Sequence, residues 1–143
     1  MDGVAATLGK GSKCIMLFNK EMLFTLPSGV KVVNATPHPI NMINGDNEFV
    51  IPASGMVLGA KFVETGSNLS VFPGVEITTS ATISTEDGIE FLDSVPFDVL
   101  VIGSKIAAET YKGRVAMLNP APGFERVAPA EKRMSCVKFT MFE

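Results

Sequence analysis

A short apolar run, Val32-Val33, enters the corner Thr36-Pro37-His38-Pro39, and a second run, Ile40 to Ile43, leaves it. Each proline fixes its own φ and pushes the residue before it into an extended conformation. Thr36 and His38 are therefore both held extended, and no helix can run through this stretch. The local fold is strand, stiff corner, strand. The corner also carries the only histidine of the chain. Two roles fit such an imidazole: a binding element presented from a rigid support, or a turn residue that hydrogen-bonds a neighbouring loop.

The rest of the chain has the same short-run grammar. Val30 to Ala35 reads as a strand, and Asn44-Gly45-Asp46-Asn47 as a hairpin turn, because Asn-Gly supplies the positive φ values of a type I′ turn. Phe49 to Ile51 is its returning strand. Pro52-Ala53-Ser54-Gly55 is a further turn, followed by strand-like Met56 to Val63. Val75 to Ser84 alternates with a period of two and is expected to keep one face wet and one dry. Glu86-Asp87-Gly88 is expected to close it, with Ile89 to Leu92 starting a return strand. Val99 to Ile102 is wholly apolar and reads as a central strand buried on both faces. Ser104 can then cap a short helix over Lys105 to Lys112, stopped by Gly113. A proline-rich loop, Asn119 to Pro129, leads to a last strand over Ser135 to Phe142.

Ahead of this lie two short runs, Cys14 to Phe18 and Met22 to Leu26, which read as a hairpin or as an extension packed on a neighbour. Residues 1–13 are Gly-rich and expected to form a loose arm. The organisation is thus an N-terminal arm and hairpin extension over 1–29 and a single β-rich domain over 30–143. The fold class is α+β, mainly β. A mixed sheet or partly closed barrel of about seven to nine strands with one short helix is expected.

The 143 residues, 15.2 kDa, suit one domain that needs no metal or disulfide staple. Hydrophobic residues make up 46% and charged residues 19%, with a mean hydropathy of +0.30. That surplus of apolar residues fits burial between subunits, and a Met-rich core explains it equally well. No apolar run approaches the roughly 18 residues of a membrane span, so no membrane partner is expected. The N-terminus has no apolar stretch of the signal-peptide kind. Cys14 and Cys136 match no metal or redox spacing and read as free thiols in a reducing cytoplasm. The net charge of −3 argues against a partner as large as a long nucleic acid, but not against a local pocket for a small anion.

No catalytic set can be assembled: there is one histidine, no nucleophile elbow and no phosphate loop, so an enzyme is not expected. His38 with Asp46 and Glu48 lacks a spacing that selects a metal. The carboxylates Glu86, Asp87, Glu90, Asp93 and Asp98 read as a solvated rim. Gly103-Ser104-Lys105, between an apolar strand and a helix start, could hold an anion on free N–H groups, or Ser104 could be an N-cap and nothing more. Arg114 and Arg126 sit on loops where a guanidinium could grip phosphate. Phe124 and Tyr111 could stack on a base or simply pack. Arg133, in Glu131-Lys132-Arg133, reads as an ordinary charged face.

The run Val32-Val33-Asn34-Ala35-Thr36-Pro37-His38-Pro39-Ile40-Asn41-Met42-Ile43 resembles the Asn-Leu-Thr-Pro-His signature of a group of small proteins of phages and bacteria. Ile51-Pro52-Ala53-Ser54-Gly55 is similar to that group's Ile-Pro-x-Ser-Gly turn. Val99 to Ser104, Ile106-Ala107-Ala108, Arg114, Asn119-Pro120 and Arg126 resemble its strand, helix, arginine and proline pattern. Ala35 replaces the usual Leu, and Gly103 precedes the serine. The likeness spans about residues 30 to 142.

What the resemblance implies is a phage counter-defence sponge. Such a protein binds a cyclic nucleotide messenger of CBASS immunity in the cytoplasm of the infected bacterial host and does not cleave it. It implies a homo-oligomer with pockets at subunit contacts, no cofactor, and a small anionic nucleotide as ligand. Asn34, Thr36, His38, Ser104, Lys105, Arg114, Phe124 and Arg126 are then the candidate ligand contacts. Two other classes remain open: a virion structural or assembly protein, and a small nucleotide hydrolase built around the stiffly held His38.

Overall fold

A computed structural model describes residues 6–7, 14–68 and 72–143. The strands are β1 (Ala6–Thr7), β2 (Cys14–Ile15), β3 (Leu23–Thr25), β4 (Lys31–Asn34), β5 (Ile40–Asn44), β6 (Asn47–Ile51), β7 (Ala60–Asn68), β8 (Ile77–Ser84), β9 (Val99–Ile102), β10 (Val115–Pro120) and β11 (Met134–Thr140). Two helices, α1 (Glu86–Ser94) and α2 (Lys105–Thr110), lie among them. The protein is mainly β, with one mixed, barrel-like sheet of seven strands in the order β3-β4-β9-β10-β11-β5-β6. β7 and β8 form a separate two-stranded ribbon, and β1 pairs with β2.

The centre of the sheet follows from its composition. β4 and β9 pair in parallel, Val32 beside Leu100 and Val33 beside Val101. Alternate residues face opposite ways along a strand, so both sides of this pair must be covered. Val33, Val101 and Val115 pack beneath α1 and α2 against Phe91, Leu92, Ala107 and Ala108. Val32 and Ile102 face the inside of the curl, with Leu26, Ile40, Met42, Ile51 and Cys136. The parallel step from β9 to β10 needs a crossover, and α2 supplies it. Gly113, with φ +76, turns the chain back as expected, although α2 stops at Thr110 rather than Lys112.

The sheet does not close by hydrogen bonds, since β3 and β6 are its two ends. Phe24 of β3 and Phe49 of β6 instead stack with ring centroids 5.8 Å apart and planes 4° apart. An aromatic pair thus bridges the seam where a ladder would otherwise run.

Several elements depart from expectation. Residues 86–92 form a helix, not a turn and a strand. Thr85 caps it by accepting from Gly88 N–H at 3.0 Å, and Glu86 and Asp87 complement the positive end of its dipole. Gly88 is there for space: a Cβ would collide with the Tyr111 hydroxyl. Among the described residues α1 thus adds a helix to the one expected over Lys105 to Lys112. Residues 56–59 are irregular, and the strand expected from Met56 begins at Ala60. Of the two readings of 14–18 and 22–26, a hairpin or an extension packed on a neighbour, the described pairings do not give the hairpin: β3 pairs with β4 and β2 with β1. Met22 and Leu26 are buried in the two cores, and Phe18 N–H donates to Ser94 Oγ at 2.9 Å. Apart from Ala6–Thr7, the expected loose arm lies outside the described residues, as does the Cys14 side chain. β8 has no dry face: every residue from Ile77 to Ala81 is exposed.

Candidate functional site

Asn34 ends β4 beside Ile102, and its side chain is 1% exposed. A buried primary amide must spend its two donor hydrogens and its oxygen inside the chain. The amide nitrogen faces the carbonyls of His38 at 2.8 Å and of Ile51 and Pro52 at 3.3 Å. Its oxygen accepts from Thr36 N–H at 3.0 Å and from the Thr36 hydroxyl at 2.6 Å. The Asn34 carbonyl in turn accepts from Ser54 N–H at 3.1 Å and from the Ser54 hydroxyl at 2.7 Å. The Thr-Pro-His-Pro corner and the Ile51–Gly55 turn are therefore one unit tied through Asn34. Asn34 and most of the Thr36 hydroxyl's capacity go into framing the corner.

The frame holds His38 outward. Its ring has no hydrogen-bond partner among the described residues, and it lines a cavity of about 280 Å³. Ile40, Leu118 and Met134 make the apolar wall of this cavity, and Thr36, Asn41 and Lys132 the polar one. Lys132 is half-buried, with its ammonium 3.0 Å from the Glu125 carbonyl. The cavity thus offers a cation, an imidazole and an apolar surface together. Lys132 was hidden in sequence within a charged triplet. Its neighbour Arg133 is no free surface charge, because it bonds Glu48 at 2.9 Å and the Lys132 carbonyl at 3.0 Å.

The other sequence candidates lie outside this cavity. Ser104 is at the same end of the sheet as the corner, since Ala35 N–H bonds the Ile102 carbonyl at 2.8 Å. Its hydroxyl is the N-cap of α2, accepting from Ala107 N–H at 3.1 Å, and Lys105 is exposed beside it. Gly103 serves packing rather than ligand approach, because a Cβ there would lie 2.7 Å from Val115 Cγ1. Arg114 lies toward the far end of β9, paired to Asp93 at 2.8 Å. It borders a cavity of about 370 Å³ rimmed by Val95, Pro96 and Met141 and by a fully exposed Phe97.

Phe124 lines a third cavity, of about 310 Å³, with Ile43, Pro122 and Val137, while Arg126 is exposed on the same loop. Tyr111 is committed to the fold: its hydroxyl donates to the Gly59 carbonyl at 2.8 Å and accepts from Thr85 N–H at 3.1 Å. Of the eight candidates, Thr36 and His38 line one cavity together, on the frame that Asn34 builds.

No group of three or more metal-binding side chains occurs among the described residues, and no described helix is long and apolar enough to cross a membrane. No family model, curated protein or solved structure matches this chain.

Proposed function

We propose that this chain is a non-catalytic binding protein that sequesters a cyclic nucleotide immune messenger in the cytoplasm of a phage-infected bacterium. The observation that carries the proposal is the His38–Lys132 cavity on its rigid support. The residues of the resemblance, Asn34, Thr36, Pro37, His38 and Ser54, are those that build the support. Lys132 and His38 supply charge and hydrogen bonds for a phosphate. Ile40, Leu118 and Met134 supply the apolar surface against which a base packs. Among the described residues no carboxylate holds the His38 ring, so the rival hydrolase reading has no orienting partner for its general base.

At about 280 Å³ the cavity falls just under the roughly 300–1,000 Å³ of small-molecule sites. It takes one nucleotide unit, and a cyclic dinucleotide needs a second surface. A second copy of the chain supplies that surface and ties capture to self-association. Thermal denaturation against a panel of cyclic di- and trinucleotides tests this. Ligand at 100 times its dissociation constant raises stability by about 2.7 kcal/mol, and heat-released ligand is recovered intact. His38→Ala and Lys132→Ala remove the shift. A panel with no stabilising member overturns the proposal. Recovery of cleaved nucleotide replaces it with the hydrolase. The long exposed β7–β8 ribbon favours one other reading, a virion assembly protein, and silence across the whole panel supports that one.

A further inference from the structure

Among the described residues the β7–β8 ribbon is tied to the rest of the fold at its base. Tyr111 ties Gly59 and Thr85, which flank its base, and Thr110 donates to the Thr82 hydroxyl at 3.1 Å. Beyond that, Phe62 is 64% exposed, and Ile77 and Ile83 lie open to solvent. An isolated two-stranded ribbon is marginal in water and usually leans on a third strand or a covering layer.

Its two edges are not alike. β7 carries Lys61 and Glu64 and a register shift between Glu64 and Gly66, all features that discourage strand addition. β8 has no charge, no proline and no register break of its own, and no described strand pairs along its other edge. An open, uncharged edge strand is a template for another strand.

The sequence of β8 says which strand. Ile77-Thr78-Thr79-Ser80-Ala81-Thr82-Ile83 reads nearly the same in both directions about Ser80. Antiparallel pairing of two copies across a two-fold axis at Ser80 sets Ile77 against Ile83 of the second copy and Thr78 against its Thr82. Thr79 meets Ala81, and Ser80 meets itself. Apolar–apolar and Thr–Thr pairs are favourable directly opposite each other, whereas a charge on the axis, at position 80, would meet its own like. β8 has none to meet.

We propose that β8 is a self-pairing edge, through which two copies of this chain join their arms into one four-stranded sheet. The proposal is independent of what the His38 cavity binds.

Sedimentation velocity on the full chain tests it. The wild type sediments as an assembly of at least two 15.2 kDa subunits. Ser80→Lys, at an exposed position opposite Glu64 of its own chain, sets two ammonium groups face to face at the axis and halves the assembly's mass. A second variant carries Ser80→Glu with Glu64→Gln, so that its arm gains no net charge, and its mass halves as well. Mixing the two restores the wild-type mass, because the axis then joins opposite charges. A cooperative unfolding transition retained in each variant separates lost pairing from lost folding. A monomeric wild type, a Ser80→Lys protein of undiminished mass, or a mixture that stays dissociated overturns the proposal.

Discussion

Replacing Asn34 separates framing from binding at the corner. In Asn34→Ala the Thr36 N–H and hydroxyl lose their shared acceptor, bonds worth about 1 kcal/mol each net. The Ile51 carbonyl, which Asn34 meets in a buried setting, is left without that donor at a further cost of about 1–3 kcal/mol. His38 and Pro52 carbonyls lie where water can replace the amide, and they add little. The sum is about 3–5 kcal/mol, a large part of the roughly 5–15 kcal/mol that holds a domain folded. In a chain of 143 residues this lowers the melting temperature by about 10–15 °C.

Asn34→Asp is the sharper variant. It keeps the oxygen that Thr36 needs but turns the donating nitrogen into an acceptor facing three carbonyls. A buried carboxylate among carbonyl oxygens destabilises at least as much as alanine. Urea denaturation with an unchanged slope reads both values. An Asn34→Asp protein within about 1 kcal/mol of wild type would refute the hub, since the acceptor role alone would then suffice. His38→Ala, at an exposed side chain, changes stability by less than about 0.5 kcal/mol, so its effects on ligand are read without a folding correction.

Phe91 is fully buried between α1 and the sheet, so Phe91→Ala costs about 3–5 kcal/mol in chemical denaturation. Phe24 and Phe49 couple by about 0.5–1.5 kcal/mol in a double-mutant cycle, and a coupling near zero denies their stack any part in closing the barrel. Tyr111→Phe leaves Gly59 O and Thr85 N–H without their shared hydroxyl, so it speeds amide exchange at the base of the ribbon and destabilises by about 1–3 kcal/mol. Arg114→Ala changes stability by under about 1 kcal/mol, because Arg114 and Asp93 are 42% and 64% exposed and water screens their pair.

The elements legible in sequence were those whose cause lies within a few residues. Val99 to Ile102 could only be a strand covered on both faces, and Ser104 and Gly113 bound a helix as expected. Gly45, at φ +63, sits in the two-residue loop between paired Asn44 and Asn47. The helix α1 was missed because Gly88 reads as a turn residue, while its real constraint, the Tyr111 hydroxyl, comes from α2's far end. Thr85 followed by two carboxylates was the available signal. β8 was given a dry face because alternation reports what a strand's sides are made of, not whether anything lies against them.

The candidate site divides in the same way. The stiffness of the corner at His38 follows from Pro37 and Pro39 and was present in the sequence by itself. So was the mainly β character, set by short runs between turn residues. The outward aim of His38, by contrast, came with the Asn34 frame. Only the tertiary structure made Ser54 and Asn34 one frame, set Lys132 in the lining of the His38 cavity, and left Arg114, Phe124 and Ser104 outside it. Backbone preferences act over a few residues through φ, ψ and caps. Which distant strands lie side by side is decided by how the whole chain buries both faces of β4 and β9 at once, and by Phe24 meeting Phe49 across the seam.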